Sequence, residues 1–346
     1  MKRNYNQRIR FRGYIYKIIK RIVFLKILLL INGCVTGVNK ESVYSDKIVE
    51  KKAFYEWGDI NTSEIIILAI HGYNDYANSF KLPAKYLSKN NIATFSFDLD
   101  GFGKNDNSGF WFPLEVHRQL IKKELLKLKK QYPQKKIFLL GESMGGAIIT
   151  SLMTHNKGLP IDGAVLVAPA LWNFSEKNFF KSLFMSLISK SFPNLKVDSK
   201  GWVEVKASDN QDVLKELSVD KYFIHRPNLK SLYGIIELMD ESYKDAKKFF
   251  SKPSYNTLVV IPIKDEIVPR KPLIELLEKT KIKSYDFFFD FIIFESSYHM
   301  ILRDMKGDNV TEEIKKWILE RKTKKTTNFN EVIQKLRNED YHHMLD

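Results

Sequence analysis

The chain has 346 residues, 44% apolar and 13% aromatic, with a formal charge of +15. That length and apolar content hold a sizeable folded core and exclude a wholly disordered chain. The charge is not a nucleic-acid signature. Nine basic residues and no acid fall within 1–33, the other 313 residues carry only +6, and no basic groove interleaved with aromatics is visible.

The basic start runs into Ile22–Ile31, I-V-F-L-K-I-L-L-L-I, which Lys26 breaks. Ten mostly apolar residues are too few for a conventional transmembrane helix, so 1–34 reads as an export signal. Cys34 is the single cysteine, and it ends I-N-G-C, which resembles a bacterial lipoprotein lipobox. Cys34 is therefore a lipidation candidate, and the expected location is a bacterial cell envelope, membrane-associated. An uncleaved signal anchor is the alternative. A lone cysteine forms no internal disulfide.

Residues 35–47 are polar and read as a linker into a domain over 48–322. Ile48–Trp57 alternates weakly and suits one or two outer strands. Ile65–Ile70 (I-I-I-L-A-I) is wholly apolar, as a buried parallel strand requires, and ends in His71-Gly72-Tyr73-Asn74-Asp75. Asn78–Lys89 has helical spacing, Ala93–Asp98 is the next strand, and a glycine-rich loop, Asp98–Gly103, follows. Pro113–Tyr132 reads as an amphipathic helix, with Leu114, Leu120, Ile121, Leu125 and Leu128 near one face.

Ile137–Ala147, I-F-L-L-G-E-S-M-G-G-A, is the stretch around which the rest is organised. A short apolar strand leads into G-x-S-x-G, and helical spacing resumes at once. Such a turn lifts Ser143 out of the sheet, needs small residues at 141 and 145, and aims a helix N-terminus at whatever the serine attacks. Ala164–Ala168, Thr257–Ile263 and Phe287–Phe294 continue the strands, and Val310–Arg321 closes the domain as a helix. Alternating strands and helices predict an α/β fold with a doubly wound, mostly parallel sheet.

Trp172–Lys252 interrupts that rhythm with about eighty residues, so a helical insertion is expected there. Within it, Asn178–Phe192 aligns Phe180, Leu183, Phe184, Leu187 and Ile188 on one helical face. That face is expected to overhang the active site as a lid and to bind an acyl chain; a helix packed flat on the core is the alternative. Residues 323–346 form a polar tail, partly helical. No CxxC pair or HExxH supports a metal, and no cofactor is expected.

A serine nucleophile needs a base, and the base an orienting carboxylate. Asp265 follows one predicted strand and His299 the next. Of seven histidines, only His71 and His299 lie just beyond strand ends. The order Ser143, Asp265, His299 is that of the α/β-hydrolases, whereas His71 precedes the serine and suits a loop-stabilising role. Gly72 then turns the Tyr73 N–H toward the oxyanion, with the Met144 N–H as second donor. Glu266, Asp100 and Glu142 are nearby carboxylates that compete for the role of acid.

H-G-Y-N-D at 71–75, D-L-D-G-F-G at 98–103, G-E-S-M-G-G-A at 141–147, K-D-E-I-V-P at 264–269 and Y-H-M at 298–300 together resemble the monoglyceride lipase and lysophospholipase branch of the α/β-hydrolases, which is related to serine aminopeptidases. The resemblance covers about residues 50–320. It implies an α/β-hydrolase fold with a lid in the insertion, Ser143 as nucleophile, Asp265 as acid, His299 as base, and Tyr73 and Met144 as oxyanion donors. D-G-F-G stands where the family usually has R-G-H-G, and Met300 where it tends to have an acid, which leaves acyl and head-group preference open.

The implied function is a serine ester hydrolase acting on small single-chain lipid esters at a membrane surface, with no nucleic acid and no protein partner evident. An aminopeptidase of the same fold is a second reading, for which Glu216, Glu237, Asp240 and Glu241 supply acidic groups in the insertion. A non-catalytic envelope lipoprotein is a third.

Overall fold

Ile65–Ile70 contains no polar residue and forms strand β2, buried along its whole length. It is an interior strand of a seven-stranded sheet in the computed structural model, which describes residues 52–198, 205–279, 288–320 and 329–338. Contacts divide the chain into Met1–Ile48 and Val49–Asp346, and every described residue belongs to the second unit. The expected export segment, Cys34 and the 35–47 linker lie outside the described residues. Among those described, no helix is long and apolar enough to cross a membrane.

The strands are β1 (Phe54–Trp57), β2, β3 (Ile92–Phe97), β4 (Lys136–Glu142), β5 (Gly163–Val167), β6 (Thr257–Pro262) and β7 (Phe289–Phe294), in the spatial order β1-β3-β2-β4-β5-β6-β7. Only β1 runs antiparallel, pairing β3 from Phe54 opposite Phe97 to Trp57 opposite Thr94. The reversal of direction in strand order at β2 is the doubly wound pattern.

Period-two alternation sorts the apolar side chains into two layers. Ile65, Ile67 and Ala69 of β2, with Phe138, Leu140, Val165 and Val167, face α1 (Lys81–Ser88) and α9 (Gly307–Glu320) through Leu87, Val310, Ile314 and Trp317. Ile66, Leu68 and Ile70, with Leu139 and Leu166, face α2 (Leu114–Gln131) and α3 (Met144–His155). The helix predicted from Asn78 starts instead as a 3-10 turn, Ala77–Phe80, before α1. Pro83 has no N–H to donate, and this start places it in the first turn of α1, where none is needed.

The insertion is α4 (Phe174–Lys177), α5 (Phe179–Ser191), α6 (Gln211–Val219) and α7 (Leu229–Ser251). One expectation is corrected here. Helix α7 buries Leu238, Met239, Tyr243, Ala246, Phe249 and Phe250, packs along α3, and serves as the crossover from β5 to β6. The excursion from the core pattern is therefore confined to 172–228. The spacing of those α7 residues is that of a helix buried along one face, so α7 belongs to the core layer.

Helix α5 turns its serines inward and part of its apolar stripe outward. Ser182, Ser186 and Ser189 are its buried residues, facing α7, whereas Phe180 is 82% and Phe184 61% exposed. Leu183 is exposed too, and Leu187 and Ile188 are half-buried. Small serines let helices approach closely, and Ser182 also pairs its hydroxyl with that of Ser175 on α4 at 2.6 Å. Within the apolar stripe Phe180, Leu183 and Phe184 thus face solvent rather than packing flat on the core.

The C-terminal segment contributes α10 (Phe329–Asn338), whose Val332 and Leu336 are buried beside Leu276 and Leu277 of α8 (Arg270–Lys279).

Candidate active site

Ser143 has φ 55° and ψ −116°, a left-handed backbone conformation that a serine adopts only when its surroundings enforce it. Its N–H donates to Val167 O, and its carbonyl accepts from the N–H groups of Ala147 and Ala170, so the turn is pinned between β5 and α3. A Cβ at Gly145 would lie 2.0 Å from Ile70 O, and one at Gly141 would lie 2.5 Å from the Gly145 carbonyl carbon. The two glycines are what allows the strand and helix to meet at this angle.

The loop after β2 abuts the serine. A Cβ on Gly72 would lie 3.3 Å from Ser143 Cβ and 3.9 Å from its Oγ, so the Gly72–Tyr73 peptide stands against the hydroxyl. His71 is wholly buried beneath this loop. Its Nδ1 donates to Gly72 O at 2.8 Å and its Nε2 accepts the Leu99 N–H at 3.0 Å, which sets one neutral tautomer. Burial lowers the pKa of His71 and keeps it uncharged. Asp98 fixes the next loop by accepting from Ala77 N at 2.9 Å and Lys104 N at 2.7 Å. Tyr73 closes the floor, its hydroxyl 3.0 Å from Ser231 Oγ of α7 and its ring edge-on to Phe102 and Trp111.

The loops after β6 and β7 bring Asp265 and His299 together, with Oδ2 and Nδ1 2.7 Å apart. The other carboxylate oxygen, Oδ1, accepts the N–H groups of Ile267 at 2.8 Å and Val268 at 2.9 Å. A carboxylate held this way makes His299 Nδ1 the donor, which leaves Nε2 with a free lone pair. Burial by itself pulls the pKa of His299 down. The Asp265 charge and hydrogen bond, with a smaller push from Glu142, outweigh it and leave the pKa raised.

The competing carboxylates are engaged elsewhere. Asp100 meets Lys52 at 2.7 Å, Glu266 accepts the Lys206 N–H at 2.7 Å, and Glu142 faces Arg303. His117 is buried against Phe102 and Trp111, and burial pushes its pKa down to about 4. His155 meets Asp245 at 3.0 Å on α3 and α7. Met144 is fully buried as the first residue of α3. No group of three or more metal-ligating side chains occurs among the described residues.

The sequence reading missed a clasp on the His299 loop. Asp304 accepts the Tyr298 N–H at 2.8 Å and the Ser208 hydroxyl at 2.7 Å, while the Met300 N–H donates to Ala207 O at 2.9 Å. The insertion thus holds the base loop from both sides. An acid five residues after a histidine was its only trace in the sequence.

Comparison with known proteins places the chain in a family. The family model described as serine aminopeptidase, S33 matches residues 61–306. The human monoglyceride lipase is 23% identical over 269 residues, covering 77% of this chain and 86% of the human protein. The monoacylglycerol lipase of Paleococcus ferrophilus superposes with a TM-score of 0.63 at 21% identity, covering 79% of this chain and 100% of that one. A soluble variant of the Saccharomyces cerevisiae monoglyceride lipase, in complex with a substrate analog, gives 0.65 at 16% identity, covering 78% of this chain and 92% of that one. A β-sheet wound on both faces, a serine at a strained strand–helix turn and the matched family model lead to one assignment: the chain belongs to the serine aminopeptidase S33 family and is a serine hydrolase of the α/β-hydrolase fold.

Proposed function

We propose that the protein hydrolyses single-chain lipid esters, monoacylglycerols foremost, through a covalent acyl-enzyme on Ser143. The observation that carries this is the Asp265–His299 pair at 2.7 Å, taken with a serine on a strained strand–helix turn. Nε2 of His299 takes the Ser143 proton as Oγ bonds to the ester carbon. The tetrahedral oxyanion is held by the N–H groups of Tyr73, in the loop after β2, and of Met144, at the α3 N-terminus. Collapse breaks the carbon–oxygen bond, and His299 returns the proton to the departing glycerol oxygen. Water then attacks the acyl-enzyme by the same route and releases the fatty acid.

The exposed Phe180, Leu183 and Phe184 support work at a lipid surface, because an apolar helix face gains by burying itself in acyl chains. Export and lipidation at Cys34 would hold the enzyme at that surface. Membrane-fraction protein with Cys34→Ser released or left unprocessed supports this; a wild-type N-terminus at Met1 overturns it.

The aminopeptidase reading has less support. Asp240 spends an oxygen on the Ser175 N–H at 3.1 Å, Glu216 and Glu237 are exposed, and Glu241 lies near Arg118 of α2. A substrate panel decides between the two. Monoacylglycerols should be cleaved with kcat/KM rising with chain length, and aminoacyl-arylamides left intact; the reverse preference overturns the proposal.

A further inference from the structure

Four residues beyond His299, Arg303 is buried and its Nη2 donates to Asp75 Oδ2 at 2.6 Å and to Glu142 Oε2 at 3.4 Å. Each partner sits on a different part of the site. Asp75 ends the loop that carries Tyr73, Glu142 immediately precedes Ser143, and Arg303 closes the 3-10 turn after His299. One guanidinium therefore spans the three segments that supply oxyanion donor, nucleophile and base.

We propose that Arg303 is a positioning residue: its contacts with Asp75 and Glu142 hold those three segments in register, and with Glu142 it sets the charge that His299 experiences. The inference rests on the triad reading above.

A purely stabilising role fits the contacts poorly. Buried ion pairs are weak contributors to stability because desolvation offsets their attraction. Here the network even leaves Glu142 Oε1 and Arg303 Nε buried with no hydrogen-bond partner among the described residues. Orphaned polar atoms cost stability. What distinguishes Arg303 is what it joins, the three segments around Ser143.

The electrostatics have a definite sign. His299 faces Asp265 from the β6 loop, Glu142 from the end of β4 and Arg303 on its own loop. Glu142 in turn faces Arg303, Asp75 and Asp304. Burial drives Glu142 toward its neutral form, and Arg303 opposes this by favouring the carboxylate. An ionised Glu142 favours protonated His299, while Arg303 disfavours it, so the pair balances the base against overprotonation.

The test is the rate of Ser143 labelling by a serine-directed fluorophosphonate across pH, which reads the base without any lipid substrate. In Glu142→Gln the acidic limb should move to lower pH, since the Glu142 carboxylate favours protonated His299 and is gone. Arg303→Gln should lower the plateau rate about ten- to hundredfold through misplaced groups, and Arg303→Lys should recover part of it. An unmoved acidic limb in Glu142→Gln, or a wild-type plateau in Arg303→Gln, overturns the proposal even if thermal stability falls. Should Arg303→Gln not fold, Arg303→Lys and Glu142→Gln still decide it. Wild-type protein that does not label at all overturns the triad reading, and this inference with it.

Discussion

Asp265 and His299 are 34 residues apart in sequence and come from the loops after neighbouring parallel strands, yet Oδ2 and Nδ1 meet at 2.7 Å. The β6–β7 register, with Ile261 opposite Ile293 and Pro262 opposite Phe294, carries both loops to the same end of the sheet. Asp265→Asn keeps the shape but reverses the hydrogen-bond sense on one side. Turnover of a short-chain ester should fall about 10⁴-fold while the melting temperature holds within a few degrees. Activity within tenfold of wild type would remove Asp265 from the triad.

Ser143→Ala should abolish fluorophosphonate labelling and reduce ester turnover by about 10⁶-fold. Labelling gels and steady-state rates on the same preparation make the check. Residual labelling at another serine would move the nucleophile.

The raised pKa of His299 places the acidic limb of kcat/KM above the ordinary histidine value of 6.5. The sign follows from the base role: below its pKa the imidazolium has no lone pair for the serine proton, so the rate falls as pH drops through it. Replacing Asp265 by Asn removes the charge that favours the imidazolium, and the limb should shift to lower pH. A pH–rate profile on a neutral ester reports both.

Gly145→Ala should be costly, because its Cβ would meet Ile70 O at 2.0 Å and only backbone movement relieves that. Overpacking of this kind costs about 1–3 kcal/mol and also displaces the serine turn. Gly158→Ala, with nothing within 4 Å of the added carbon, is the control and should melt as wild type. Equal melting temperatures and labelling rates for the two variants would contradict the close approach.

Phe180→Ser with Phe184→Ser should reduce sedimentation with anionic lipid vesicles and activity on vesicle-borne monoacylglycerol several-fold, while hydrolysis of a soluble acetate ester changes less than about twofold. The two side chains are 82% and 61% exposed, so their loss leaves little packing to disturb. Parallel losses on both substrates would place this face in the catalytic pocket instead.

The strands and the serine turn are legible in the sequence because each is local, and the order Ser, Asp, His because each candidate follows an apolar run. An apolar run such as Ile65–Ile70 has a single stable place, the middle of a sheet covered on both faces, and G-x-S-x-G after a strand specifies its own geometry. What the tertiary structure alone decided concerns partners distant in sequence. A helical stripe fixes that one side of α5 is apolar, but whether that side or the serines of 182, 186 and 189 turn inward depends on how closely α7 approaches. The same limit applies to α7, whose partner α3 is distant in sequence: Ser151 and Asp245, which join them, are 94 residues apart. The Arg303 contacts join positions 75, 142 and 303, which lie far apart in the chain, so no local pattern shows that they meet. Charge carries no periodicity that marks burial, so only the fold, by closing three loops over one guanidinium, shows that these three are inside.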